Sequence, residues 1–191
     1  MHGAFGYLID QFLQDGSNQR QDKYGGSIEN RARFLLEVVA AVTQVWSSDR
    51  VGIKLSPSNT FYGMSDSDPK AIFAYVIEAL NSYNLAYIHL MEPNEIDLST
   101  SQVISPVLPV FRSIYQGNII ANGGYDQKTG EQAIASGHAQ LVSYGRAYLA
   151  NPDLVERFKQ NVALNEPNPK TFYGRGDTED AKVGYTDYSF I

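Results

Sequence analysis

The chain has 191 residues, 43% of them hydrophobic and 19% charged, with a net charge of −6. That length suffices for one domain with a real core, and the composition is that of an ordinary soluble globular protein. A uniformly acidic balance argues against a nucleic-acid or anionic-membrane surface, which needs clustered Lys and Arg, but leaves room for a local anion pocket built from backbone N–H groups and one Arg.

Cysteine is absent, which excludes disulfides, thiolate catalysis and cysteine-based zinc sites. No apolar run approaches the roughly 20 residues of a membrane span. The sequence does not open with a basic-then-apolar leader, and a reducing cytoplasm is the expected location.

His2-Gly3-Ala4-Phe5-Gly6-Tyr7 reads as the exit from a strand whose own residues are missing, so the chain is expected to begin in the middle of a larger fold. Residues 8–26 read as an irregular loop, with Leu8 to Leu13 a short apolar turn. Ser27 is a good N-cap, and Ile28, Ala32, Leu35, Val38, Val39, Val42 and Val45 keep helical spacing to about Trp46. Val51 to Leu55 predicts a strand. Asp68-Pro69 opens a helix to about Asn81. The pattern repeats: strand Ala86 to Met91, helix around Val103 to Tyr115, strand Asn118 to Ala121, helix near Lys128 to Ser136, strand Leu141 to Tyr144, and a helix through about Lys159. Residues 164–191 read as an extended tail over the surface.

Strand and helix thus alternate four times, and the strands are rich in Val, Ile and Leu, as strands covered on both faces are. Such alternation predicts a parallel sheet with right-handed crossovers. A doubly wound sheet normally carries its phosphate-binding glycines after the first strand of the unit. Here the glycine turns, Asn122-Gly123-Gly124 and Gly145-Arg146, follow the last two strands. That is where barrel phosphate sites sit. The expected fold is therefore α/β, the second half of a TIM (β/α)8 barrel, about strands five to eight with their helices. Residues 1–191 would form a single partial-barrel domain.

Glycine lets backbone N–H groups approach a phosphate, and Arg146 can add a bidentate contact. Either turn alone would be a simple strand exit; two in succession, one carrying Arg, point to a phosphate cradle. Lys54, in a strand between apolar residues, needs a partner or a ligand, and an internal salt bridge fits as well as ligand contact. On their own, His2 is a lone histidine and Tyr7 a packing residue. His89 lies in a strand and satisfies neighbouring backbone there. His138 is expected to be exposed. Phe172-Tyr173 reads as a surface latch. No His and carboxylate pair has metal-ligand spacing, so no metal is expected.

His2 to Leu13, Asn18-Gln19-Arg20 and Tyr24 to Arg31 closely resemble the old yellow enzyme family, FMN-dependent ene-reductases on an eight-stranded barrel. Val51 to Pro57, His89 to Asn94, Tyr144 to Ala147, Asn151 to Leu154 and Thr171 to Tyr173 carry the resemblance through the chain. It begins halfway through the family's barrel. The resemblance implies FMN as cofactor and NADPH or NADH as reductant, with an activated alkene as substrate. It makes Tyr7 the proton donor and His2 a donor to the substrate's carbonyl or nitro oxygen. Lys54 stands for a usual Arg beside the flavin, Gly123, Gly124, Gly145 and Arg146 for the phosphate site, and Phe172 and Tyr173 for aromatics near the substrate opening.

Three departures stand out. The second oxygen donor, normally Asn or His, is Phe5, which cannot donate; losing one such donor costs about 10²–10³ in rate. Lys54 keeps the charge of Arg but not its fork. The family's first four strands are absent. The isolated chain is therefore expected to bind FMN weakly and reduce little. The alternative is a non-catalytic half-barrel that closes as a homodimer, or with a missing N-terminal half, and keeps only phosphate binding.

Overall fold

Short apolar runs and helical periodicities alternate along the chain, and strands and helices alternate with them in the computed structural model, which describes residues 1–100, 103–173 and 182–191. These residues fall into two units, Met1–Val142 and Ser143–Ile191.

In the first unit, β1 (His2–Gly3), β2 (Gly52–Leu55), β3 (Tyr87–Met91), β4 (Ile119–Asn122) and β5 (Leu141–Val142) form one sheet in chain order. Every neighbouring pair is parallel. Four strands are expected from the sequence and a fifth, β1, joins them. Two residues are too short for periodicity to register; the pairing of His2 with Lys54 and Gly3 with Leu55 defines the strand.

Neighbours along a strand face opposite ways. Ile53, Leu55, Ile88, Leu90, Ile119 and Ala121 are buried, all but completely shielded on the helix-covered face. Lys54, His89, Ile120 and Asn122 lie on the other face and are half-buried.

The residues 8–26 expected as loop begin instead with a helix, α1 (Leu8–Leu13). Tyr7 O accepts the Gln11 N–H to start it. α2 (Ile28–Val45) starts where Ser27 predicts: its hydroxyl accepts the Asn30 N–H. Ala32, Leu35 and Val39 bury one face of α2. α3 (Pro69–Leu80) has Asp68 as cap and Pro69 in the first turn, and buries Ile72, Phe73, Val76, Ile77 and Leu80. Together with Val107, Leu108 and Phe111 these side chains form the core against the strands. Each Val, Leu, Ile or Phe among them contributes about 1.5–3 kcal/mol by leaving water.

The helix expected around Val103 to Tyr115 is shorter, and a turn of helix precedes it. α4 (Glu95–Leu98) is opened by a capping box between Asn94 and Asp97, and α5 spans Val107–Arg112. The Glu92 carboxylate accepts the Val107 and Leu108 N–H groups that α5 leaves open, at 2.7 and 2.9 Å. α6 (Gln127–Ala135) follows, with Asp126 in a second capping box.

In the second unit the single helix expected to run to Lys159 is two, α7 (Arg146–Ala150) and α8 (Leu154–Gln160). Pro152 cannot donate to the helix ladder and disfavours a helical Asn151, whose φ is −137°. Buried Asn151 then bonds to Asn165, accepting its N–H at 2.7 Å. Arg157, also buried, donates to Asp153 at 2.8 Å, Ala163 O at 2.7 Å and Ser189 O at 2.7 Å. Residues 174–181 of the expected tail lie outside the described residues.

Candidate functional site

Sheet register brings three sequence-selected residues onto one row. His2 on β1 stands opposite Lys54 on β2, and Lys54 opposite His89 on β3. All three project from the face that the helices leave uncovered. The Lys54 Nζ donates to Asn122 Oδ1 of β4 at 2.9 Å and lies 5.3 Å from the centre of the Phe5 ring. Its partner is thus an amide, not the carboxylate of an internal salt bridge, so the charge stays available to a ligand.

This charge organises its neighbours. Burial, and then Lys54, push His89 down to about 4. Burial, Lys54 and the N-terminal ammonium also lower His2. Both imidazoles are neutral at neutral pH, and each keeps one N–H donor. Burial lowers Lys54 as well. The row presents one cation flanked by neutral donors.

Tyr7 reaches the same place by a chain reversal. Phe5 and Gly6 both have positive φ, 59° and 70°, and the Tyr7 N–H returns to Ala4 O at 3.2 Å. The Tyr7 ring then lies 5.2 Å from that of His2 and 5.9 Å, edge-on, from that of Tyr62. Phe61 sits edge-on to Phe5 at 6.2 Å. Tyr7 is 51% exposed.

Gly123 and Gly124 follow β4 directly. Gly123 has φ 105°, and a Cβ there would stand 2.8 Å from Glu92 O, so no larger residue fits. Gly124, at φ 70°, is open, with no atom within 4 Å of an added Cβ.

In the second unit, Gly145 caps α7, its carbonyl accepting the Leu149 N–H at 3.0 Å. Gly145, Arg146, Leu149, Pro169, Phe172 and Tyr173 line a cleft of about 500 Å³. The Arg146 guanidinium carbon lies 5.8 Å from the centre of the Phe172 ring. Tyr173 is 92% exposed.

The structure thus gathers His2, Tyr7 and Lys54 in one unit and Gly145, Arg146, Phe172 and Tyr173 in the other. His138, expected to be exposed, is half-buried, with Nδ1 3.0 Å from Ser136 Oγ. Sequence reasoning missed Asn122 as the Lys54 partner, because the two lie 68 positions apart. It also missed Asp10 and Ser56, which hold the Phe5-Gly6 turn. The available signal was an ionisable residue inside the apolar run Leu8 to Leu13.

A family model described as NADH:flavin oxidoreductase / NADH oxidase matches residues 1–165. The chain is 45% identical over 188 residues to 12-oxophytodienoate reductase 2 of Arabidopsis thaliana, covering 98% of this chain and 49% of that protein. It is 45% identical over 192 residues to 12-oxophytodienoate reductase 1 of Oryza sativa subsp. japonica, covering 100% of this chain and 50% of that protein. Among solved structures, morphinone reductase matches with a TM-score of 0.89 at 43% identity, covering 100% of this chain and 49% of its own. The old yellow enzyme from Trypanosoma cruzi matches with a TM-score of 0.90 at 36% identity, covering 100% and 48%. The chain spans about half the length of these relatives.

Proposed function

The chain belongs to the NADH:flavin oxidoreductase / NADH oxidase family, the old yellow enzyme family, and from that premise we propose that it carries the second half of an FMN-binding barrel that reduces activated alkenes with NADPH or NADH. The observation that carries the reading is the row of His2, Lys54 and His89 on the uncovered sheet face, with the Tyr7 ring 5.2 Å from His2. The residues present suit the cofactor: a half-buried cation without a carboxylate partner, and at Gly124 a backbone with open space beside it.

Bound FMN would supply hydride chemistry, between a nicotinamide reductant and the β-carbon of the alkene. Tyr7 gives a proton to the α-carbon, its phenol O–H acting as the donor. His2, kept neutral, donates an N–H to the carbonyl or nitro oxygen, where negative charge develops. Phe5 cannot act as the second donor. Lys54 holds a positive charge for the electron-rich N1–C2 carbonyl edge of the flavin. Gly123, Gly124 and Gly145 offer backbone N–H groups, and Arg146 its guanidinium, to the phosphate. Phe172 and Tyr173 border the substrate opening.

Because the relatives are about twice as long, the 191-residue chain by itself binds FMN weakly and has little or no ene-reductase activity. FMN fluorescence quenching tests this. Wild type binds measurably but substoichiometrically at micromolar protein, and Lys54→Met and Arg146→Ala each weaken binding by about tenfold, the value of one charged hydrogen bond. Equal quenching by all three proteins would sink the assignment. Purified protein that is stoichiometrically yellow and reduces 2-cyclohexenone with NADPH would overturn the claim of weakness.

One observation favours a second reading, the self-associating half-barrel. Among the described residues β1 pairs only with β2 and β5 only with β4, which leaves two strand edges open. Size-exclusion with light scattering separates the readings, since a well-behaved monomer counts against self-association.

A further inference from the structure

Asp10 is fully buried in α1, and the reaction outlined above does not use it. Its position in the first turn of the helix brings the carboxyl back beneath the reversal between His2 and Tyr7. One carboxyl oxygen, Oδ2, accepts the Gly6 N–H at 2.8 Å, and the other, Oδ1, accepts Nε2 of Gln14 at 2.8 Å. The Ser56 hydroxyl bonds to the same carboxyl, and its oxygen accepts the Phe5 N–H at 2.9 Å. Gln11 closes the far side by donating to Gly6 O at 2.6 Å. Three of these bonds, from the Phe5 and Gly6 N–H groups and to Gly6 O, converge on two residues with positive φ, one of which is not glycine. An L-residue resists that conformation and keeps it only where its surroundings over-determine it.

We propose that Asp10 is a positioning residue whose buried carboxyl, together with Ser56, holds the Phe5-Gly6 turn and so sets the Tyr7 side chain against His2. This deepens the functional reading above and rests on it only for the claim that His2 and Tyr7 meet the substrate. The arrangement has a physical reason. A buried carboxyl is costly unless donors satisfy it, and a charged acceptor bonds an amide more strongly than a neutral one. Of the donors that satisfy Asp10, the Gly6 N–H belongs to the turn and Ser56 also holds the Phe5 N–H.

The titratable side chains on the elements packed against α1 are His2 on β1 and Glu29, Arg31, Arg33 and Glu37 on α2, with Lys54 on β2 next to β1. Arg31 is committed to Leu13 O, Gly26 O and Asp66. Burial raises Asp10 to about 6, so the anchor of the turn changes charge just below neutral pH.

Amide NMR of the 191-residue chain, without flavin, tests the assignment. In Asp10→Ala the Gly6 amide is expected to lose exchange protection by about tenfold or more, the equivalent of one hydrogen bond to a charged group. The cross-peak between the His2 and Tyr7 rings disappears, while the β2, β3 and α2 amides stay protected. Asp10→Asn keeps an acceptor for Gly6, with the Gln14 amide turned over, and restores both signals. In wild type the Phe5 and Gly6 amides shift with a midpoint near 6; in Asp10→Asn that step is gone.

Unchanged Gly6 protection and an intact ring cross-peak in Asp10→Ala would overturn the proposal. If Asp10→Ala does not fold, the titration decides: a step that persists in Asp10→Asn and disappears in His2→Gln belongs to His2 and overturns it equally. Failure to bind FMN would count against the functional reading and leave this result standing.

Discussion

Phe5 shows how one side chain can lose a chemical role and gain a structural one. It replaces the Asn or His that the family resemblance leads one to expect, and its backbone is left-handed, φ 59°. For an L-residue that conformation costs roughly 1–2 kcal/mol, and Asn tolerates it better than Phe. In return the Phe5 ring lies 5.3 Å from Lys54 Nζ, a contact of about 0.5–1 kcal/mol at a partly exposed site. The two terms nearly cancel. Phe5→Asn is therefore expected to change stability by no more than about 1 kcal/mol in either direction, read as the urea midpoint at constant m. A larger loss would mean that the contacts with Lys54 and Phe61 dominate. At this scale the sequence is legible where a residue acts alone. Lys54 is recognisable as a charge in an apolar strand, but its partner Asn122 is not, because only the third and fourth strands' pairing brings that amide within reach.

Element ends decide more here than element interiors. Ser27 and Asp68 each accept a backbone N–H where helix-start chemistry predicts, so α2 and α3 begin on schedule, and Asp126 caps α6 beside its expected start near Lys128. α7 and α8 separate at Asn151-Pro152 for the converse reason. The turn after β4 tests how far backbone conformation and steric room can be told apart. Gly123 and Gly124 both have positive φ, but only Gly123 has a neighbour, Glu92 O, at 2.8 Å from an added Cβ. Gly124→Ala is expected to cost about 1 kcal/mol from conformation alone. Gly123→Ala should cost at least about 2 kcal/mol more, because Glu92 is held by its bonds to α5 and by its own N–H to Asn122 O. Equal losses in thermal unfolding would show that the β3–β4 loops yield.

At the scale of the whole molecule, two titratable groups, one buried and one half-buried, oppose each other. Asp10 moves from its usual 3.8 up to about 6. Between those values the native state holds a proton that the unfolded chain has lost, so this contribution is present in full below 3.8 and is lost as pH rises through 6. It is worth about 3 kcal/mol. His89 moves from 6.5 down to about 4. There the unfolded chain takes up the proton first, so stability present above 6.5 is lost as pH falls toward 4. His89 is only half-buried, and solvent screening makes its effect the smaller. Wild type is therefore expected to gain a little stability from pH 7 to pH 5. His89→Gln should gain clearly more over that range and Asp10→Asn should lose stability. Urea midpoints followed by circular dichroism check this, and parallel slopes in all three proteins would refute it.

The sequence by itself determined the alternation of strands and helices, the starts of α2 and α3, the glycine turns after β4 and β5, and the family. These are local matters, of period, capping chemistry and linear motif, and each is written within a few consecutive residues. Tertiary structure alone decided the rest. His2–Gly3 is a strand only because Lys54 and Leu55 pair with it. Asp10 is an anchor only because a helix turn returns it beneath Gly6 and the end of β2 brings Ser56 alongside. Lys54 has an amide for a partner rather than an acid because of the sheet's register. These depend on contacts between residues far apart in the chain, and a sequence pattern does not encode which distant donor will meet which acceptor. The strongest local signals mark where the site is; the sheet and its packing decide how the side chains within it are held.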